Sequence, residues 1–190
     1  MSVGKKIEQF SREKTKVKPA SGFSHFQRIH KSAKKILEIE CLNYDAEVLH
    51  AACFLHDIEA DHPHHEKSAD RASILLKETS FPPDKAQKVR HAILEHVPDG
   101  KPKDIEAIAL HDADLLDFLG ATGVTRLSYA TSAWLEKINL QDTLKTLKLY
   151  RKKAFKNLIF KTSKKIAKKK IKFMDLAIET LDKELKWAKI

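Results

Sequence analysis

His56 and Asp57 stand side by side at the end of the apolar run Val48-Leu49-His50-Ala51-Ala52-Cys53-Phe54-Leu55, just before a polar, turn-forming stretch. An imidazole and a carboxylate set together in apolar surroundings demand a partner. Adjacent helical side chains leave about 100° apart, so both can reach one cation beside the last turn, where the negative end of the helix dipole helps hold it. The same pair also reads as a histidine–carboxylate hydrogen bond capping the helix. Further candidates lie at segment ends. His25 opens a segment in Phe23-Ser24-His25-Phe26-Gln27-Arg28-Ile29, His65 opens another in His65-Glu66-Lys67-Ser68-Ala69, and His96 closes His91-Ala92-Ile93-Leu94-Glu95-His96. Asp112-Ala113-Asp114-Leu115-Leu116-Asp117 adds carboxylates within an apolar run. Helix ends gathered at one pole of an antiparallel bundle can build a metal site between helices. Mixed imidazole and carboxylate donors suit manganese, iron, cobalt, nickel or zinc.

The elements that must position these residues read as helices. Apart from Gly4, the five glycines and six prolines cluster at 19–22, 63, 82–83, 98–102 and 120–123, between long segments of helical period. Those segments are Ser24–Glu40, Asp45–Asp57, His65–Glu78, Pro83–Val97 and Lys103–Leu119, with two or three basic helices from Val124 onward. Asp45 and Pro83-Asp84 are helix-start signals and Gly120 is a stop. No segment alternates with period two, so the expected fold is all-α, a single-domain helical bundle. Residues 1–20 carry Lys5, Lys6, Arg12, Lys14, Lys16 and Lys18 with few apolar anchors and read as a basic, loosely packed N-terminal arm. The domain then covers 21–190, with its basic helices from about 140.

With 42 % apolar residues, the 190-residue chain can build a core without staples. Its two cysteines, Cys41 and Cys53, have no metal-ligand spacing, and a reducing cytoplasm is the expected setting. The apolar runs are far too short to span a bilayer, and no membrane partner is expected. The net charge of +10 is unevenly spread. From Gln141 to Lys172 there are 13 Lys or Arg against one acid, Asp142, whereas eight of the ten histidines lie between Asp45 and Asp117. Lys161-Thr162-Ser163-Lys164-Lys165-Ile166-Ala167-Lys168-Lys169-Lys170 reads either as a solvated helix face or as a phosphate-tracking patch for nucleic acid.

The ordered set His, His-Asp, Asp, with Phe-x-His-x-x-Arg-Ile, Leu-His-Asp-Ile, His-x-x-Ser-Ala and Asp-Ala-Asp-x-Leu-Asp around it, resembles the HD-domain superfamily of metal-dependent phosphohydrolases. The nearest likeness is to small bacterial single-domain HD hydrolases, some of them nucleotide pyrophosphohydrolases. The resemblance covers about residues 20–190 and implies an HD-type bundle that hydrolyses a nucleotide phosphate ester or anhydride by metal-activated water. His25, His56 and Asp57 match the first three metal ligands. The fourth falls in Asp-Ala-Asp, whose two acids lie about 200° apart on a helix. Geometry and resemblance together favour Asp114, leaving Asp112 as a surface or capping acid. His65 and His96 match histidines that bind a second ion or transfer protons, and Asp57 is shared with the catalytic set. Arg28 and Arg126 match arginines suited to phosphate; Lys156 and Asp117 are further candidates at the substrate. The resemblance therefore implies one or two divalent transition ions and a nucleotide partner. The alternative is a metal-containing nucleic-acid-binding or regulatory module. Two departures stand out: Leu115 occupies a place that is often basic, and Ser21-Gly22-Phe23-Ser24 replaces a His-Asp pair before the first ligand.

Overall fold

The computed structural model describes residues 1–16, 22–61, 63–134 and 139–187; Ser21, His62 and the end of the expected arm lie outside them. Among the described residues there are nine helices and no strand. They are α1 (Val3–Lys14), α2 (Phe23–Ile39), α3 (Ala46–Leu55), α4 (His64–Glu78), α5 (Pro83–Glu95), α6 (Ile105–Asp117), α7 (Gly120–Trp134), α8 (Leu140–Asn157) and α9 (Lys161–Trp187). The all-α expectation holds, and α2 to α6 begin and end within two residues of the segments marked by apolar spacing. Two compact units divide the chain, 1–114 and 115–190, and the division falls inside α6. No glycine, proline or charge break marks that point, so the sequence reads as one domain across it.

In the first unit α3 is the central element, with α1, α2, α4 and α5 packed on it. Its sequence explains this: Val48, Leu49, Ala51, Ala52, Cys53, Phe54 and Leu55 are all buried, so apolar residues surround the helix instead of lining one face. Asp45 caps its start, with Oδ1 accepting the N–H groups of Glu47 at 3.0 Å and Val48 at 3.2 Å. Burial opposes ionisation of Asp45, but the Lys85 ammonium at 2.9 Å and the two amides outweigh it, and its carboxyl titrates below the usual range. The Asp45 N–H in turn donates to Glu106 Oε1 at 2.6 Å, which ties the start of α3 to α6.

Helices α2 and α4 both end with a residue in the left-handed region, Cys41 at φ 53° and Ser80 at φ 56°. Each ending closes with paired hydrogen bonds. Cys41 N–H donates to Glu38 O and Leu42 N–H to Leu37 O; Ser80 N–H donates to Lys77 O and Phe81 N–H to Leu76 O. That is the Schellman arrangement, built here without its usual glycine.

Residues 3–14 correct the expected loose arm, because they form α1 and pack on α3. Ile7 and Ser11 are buried, Arg12 lies 3.8 Å over the Phe23 ring, and His50 Nε2 stands 3.0 Å from Glu8 Oε1. Val3, Ile7 and Phe10 are spaced for one helix face, a signal diluted by the lysines between them.

In the second unit α7, α8 and α9 pack against one another around Leu127, Leu144, Leu147, Ala167, Ile171 and Met174. Arg151 makes a two-pronged pair with Asp175 at 2.7 and 2.8 Å, and Lys148 reaches Asp182 at 3.4 Å, so α8 and α9 run as an antiparallel pair. Lys170 Nζ donates to the carbonyls of Leu116 at 2.9 Å and Leu119 at 3.3 Å, capping the end of α6. Gly120 turns the chain there with φ 71°.

Candidate metal centre

The candidate ligands come from five places in the first unit. His25 lies in the first turn of α2, His56 directly after α3, Asp57 in the turn beyond it, His96 directly after α5, and Asp114 on α6. His25, His56, His96 and Asp114 are all buried, while the Asp57 side chain keeps 19 % exposure. His25 Nε2 is 3.2 Å from His56 Nε2 and 3.3 Å from Asp114 Oδ1. His96 Nε2 is 3.7 Å from Asp57 Oδ1, and the rings of His56 and His96 are 4.9 Å apart. Three sets of donor atoms lie within 4.8 Å of one another: His25, His56 and Asp57; His56, His96 and Asp114; Asp57, His64 and His96.

Local backbone fixes how two of the rings present their nitrogens. His56 Nδ1 faces the Cys53 carbonyl at 3.0 Å and His96 Nδ1 faces the Ile93 carbonyl at 2.6 Å. A carbonyl only accepts, so each Nδ1 carries a proton; the neutral His56 ring turns its Nε2 lone pair toward the cluster, while the Nε2 of His96 faces Asp57. Burial pushes His56 down to about 3, against the pull of Asp57, so its ring is neutral at ordinary pH. Asp57 behaves oppositely. Burial works against its charge, but the nearby His96, His56 and His64 rings hold its carboxyl well below the usual range. His96 is raised: burial pulls it down, and Asp57, followed by Asp114, more than offsets this. The cluster thus sets the neutral His56 lone pair beside the ionised Asp57 carboxylate. A single proton on His25 Nε2 can be given to only one of its two neighbours, whereas a cation among them engages several lone pairs at once. The donor set fits a divalent transition ion.

The other expected residues fall in different places. His65 pairs with Glu66 at 3.9 Å and belongs to none of the donor sets among the described residues. Its neighbour His64 sits 3.5 Å from Asp57 Oδ1 instead. The cause is the start of α4: Pro63 takes the cap position, His64 becomes the first helical residue, and one step along the helix turns a side chain by about 100°. Pro63 before the histidine pair was the available signal. Asp112, expected at the surface, is fully buried with its Oδ1 3.4 Å from His111 Nδ1. Arg28 is half-buried on α2, three residues after His25. In the second unit Asp117 and Arg126 are buried together at 2.8 Å, with the guanidinium 4.7 Å over the Phe118 ring, so each engages the other. Lys156 is exposed on α8.

An all-helical bundle with an H, HD, D cluster buried between its helix ends defines the class, and the HD domain family pattern matches residues 22–119. The chain belongs to the HD-domain superfamily of metal-dependent phosphohydrolases. Solved structures share the fold. One from Lactobacillus plantarum superposes with a TM-score of 0.81 at 20 % identity, covering 97 % of each chain. Bacillus subtilis YpgQ in complex with ADP gives a TM-score of 0.73 at 21 % identity, over 95 % of this chain and 97 % of that one. A predicted HD superfamily hydrolase from an uncultured Thermotogales bacterium gives 0.66 at 24 %, over 95 % and 92 %. No curated protein matches the chain.

Proposed function

We propose that this protein is a metal-dependent phosphohydrolase acting on a nucleotide, with His25, His56, Asp57 and Asp114 as metal ligands. The observation that carries the reading is the buried meeting of three imidazole Nε2 atoms and two carboxylates from five elements. A divalent ion bound there, manganese, iron, cobalt, nickel or zinc, lowers the pKa of water and offsets charge on a phosphoryl oxygen. The chain's own residues do the rest. His56 stays neutral and keeps its lone pair available, oriented by the Cys53 carbonyl. Asp57 stays ionised and orients His96. His96, raised in pKa beside Asp57, holds a proton at Nε2 for the leaving oxygen. Arg28, on the same helix as His25, is assigned to a substrate phosphate, where a guanidinium fork pairs with two oxygens. The set of Asp57, His64 and His96 offers a place for a second ion, in which case His96 would give its Nε2 lone pair to that ion instead of holding a proton. A nucleotide is favoured because YpgQ, which shares the fold, was solved with ADP.

The test is direct. Protein loaded in turn with each ion is incubated with a panel of nucleoside di- and triphosphates, and release of phosphate or pyrophosphate is measured. Turnover with at least one ion, abolished in Asp57→Asn, is expected. No turnover with any ion, for the wild-type protein with its metal content verified, overturns the reading.

A further inference from the structure

The second unit carries a surface that this reading does not use. Lys161, Lys164, Lys165, Lys168, Lys169 and Lys172 are all exposed on α9, at intervals of three, four, seven, eight and eleven from the first. At 3.6 residues per turn these positions form one continuous stripe, about 16 Å long by the 1.5 Å rise per residue. The opposite face of the same turns, with Ser163, Ala167 and Ile171, is buried against the unit. No acid lies between Lys161 and Lys172, and among the described residues none of the six lysines takes part in the ion pairs of α8 and α9, which use Lys145, Lys148, Arg151, Lys183 and Lys186. All six stand in solvent on one stretch of one helix.

Beyond Lys172 the face carries Asp175, paired with Arg151, and Glu179, paired with Lys183, and beside them it exposes apolar side chains. Leu176, 62 % exposed, follows Lys172 by four residues, and Phe173, 50 % exposed, follows Lys169 by four. Trp187, 81 % exposed, lies eleven residues beyond Leu176, three helical turns along the same face. We propose that this face of α9 docks on an anionic membrane surface, the lysines meeting lipid phosphates and carboxylates while Leu176 and Phe173 enter the headgroup boundary. Two features favour lipid over a nucleic-acid backbone. The stripe is all lysine, compact point charges on flexible stems suited to a fluid headgroup array, whereas the planar arginine fork is the residue of choice for a fixed phosphodiester. Leu176 cannot stack on a base, yet exposed leucine and phenylalanine beside lysine match an interfacial helix. Among the described residues no helix is long and apolar enough to cross a membrane. The expectation of no membrane partner rested on the lack of such a span; docking from the outside needs none.

The test is co-sedimentation of the full chain with phosphatidylcholine vesicles, with and without phosphatidylserine. Binding only to the anionic vesicles, reversed by salt, is expected. Each lysine lost should weaken it about fivefold, so Lys164→Ala/Lys168→Ala/Lys172→Ala should bind about 100-fold more weakly. Leu176→Ala/Phe173→Ala, which leaves the charge untouched, should weaken it about tenfold. Helicity by circular dichroism confirms that both variants fold, all five positions being at the surface. Absence of binding to anionic vesicles, equal binding to neutral ones, or the lysine-dependent capture of a DNA or RNA duplex without vesicle binding overturns the proposal.

Discussion

The two nitrogens of His56 have separate tasks. Nδ1–H is given to the Cys53 carbonyl at 3.0 Å, and Nε2 is thereby left as a lone pair in a buried cluster that also holds Asp57 and Asp114. Replacing His56 with alanine removes a donor and strands a buried carbonyl, a loss of about 1–3 kcal/mol. His56→Ala should therefore lose its bound metal in elemental analysis and melt at a lower temperature even in chelator. His64 and His65 provide a sharper comparison, because only their positions in the first turn of α4 distinguish them. His64 faces Asp57 at 3.5 Å and His65 faces Glu66 at 3.9 Å. His64→Ala should cut turnover by about 10- to 100-fold, the usual effect of losing a group that orients a metal ligand. His65→Ala should leave it within about twofold, as expected of a partly exposed pairing of little worth. Equal losses in the two variants would remove His64 from the site.

At the scale of the helix, the start of α3 determines where His56 and Asp57 emerge. Asp45 holds that start by two amide hydrogen bonds and by Lys85, and Asp45→Ala should cost about 0.5–2 kcal/mol, measured by urea unfolding. Its titration adds a pH signature. The folded carboxyl titrates below its unfolded value of 3.8, so its stabilisation is complete above that value and is lost as pH falls through the lower, folded one. Asp45→Asn keeps an acceptor but cannot titrate, and should flatten the decline in stability below about pH 4. At the other end of α4, Ser80 occupies a left-handed conformation at φ 56° that disfavours any residue with a Cβ. Ser80→Gly should raise stability by about 0.5–1 kcal/mol despite the greater freedom glycine has in the unfolded chain. These elements were largely legible in the sequence, because apolar period, Asp45 and Pro83 are local signals. Neither helix ending was. A Schellman turn without glycine leaves no compositional mark, and α1 was concealed because Val3, Ile7 and Phe10 are isolated among lysines. The same limit affected the site. Its ligand-type residues could be found from the motif, but the choice of His64 over His65 depends on a one-residue shift in where α4 begins.

Across the whole chain, the histidine-rich first unit and the lysine-rich second unit differ in what they need from solution. The second has α7, α8 and α9 packed on one another with ion pairs in place. The first gathers His25, His56, His96, Asp57 and Asp114 in its interior, polar groups whose desolvation is offset by one another and, on the reading above, by an ion. A ligand that binds only the folded state adds stability by mass action, about 2.7 kcal/mol when its free concentration is a hundredfold above Kd. For a chain of this length, each kcal/mol moves the melting temperature by about 2–4 °C. Adding the activating ion to chelator-treated protein should therefore raise Tm by about 5–10 °C. The same ion should leave the Tm of a His25→Ala/His56→Ala variant unchanged, because mass action needs the site and not merely the ion. Calcium, which prefers a shell of oxygen ligands to one dominated by imidazole, should give the smallest shift of the ions tried. A calcium shift as large as that of manganese or zinc would mean that the ion is held by carboxylates alone, and would move the centre away from the His25–His56 contact.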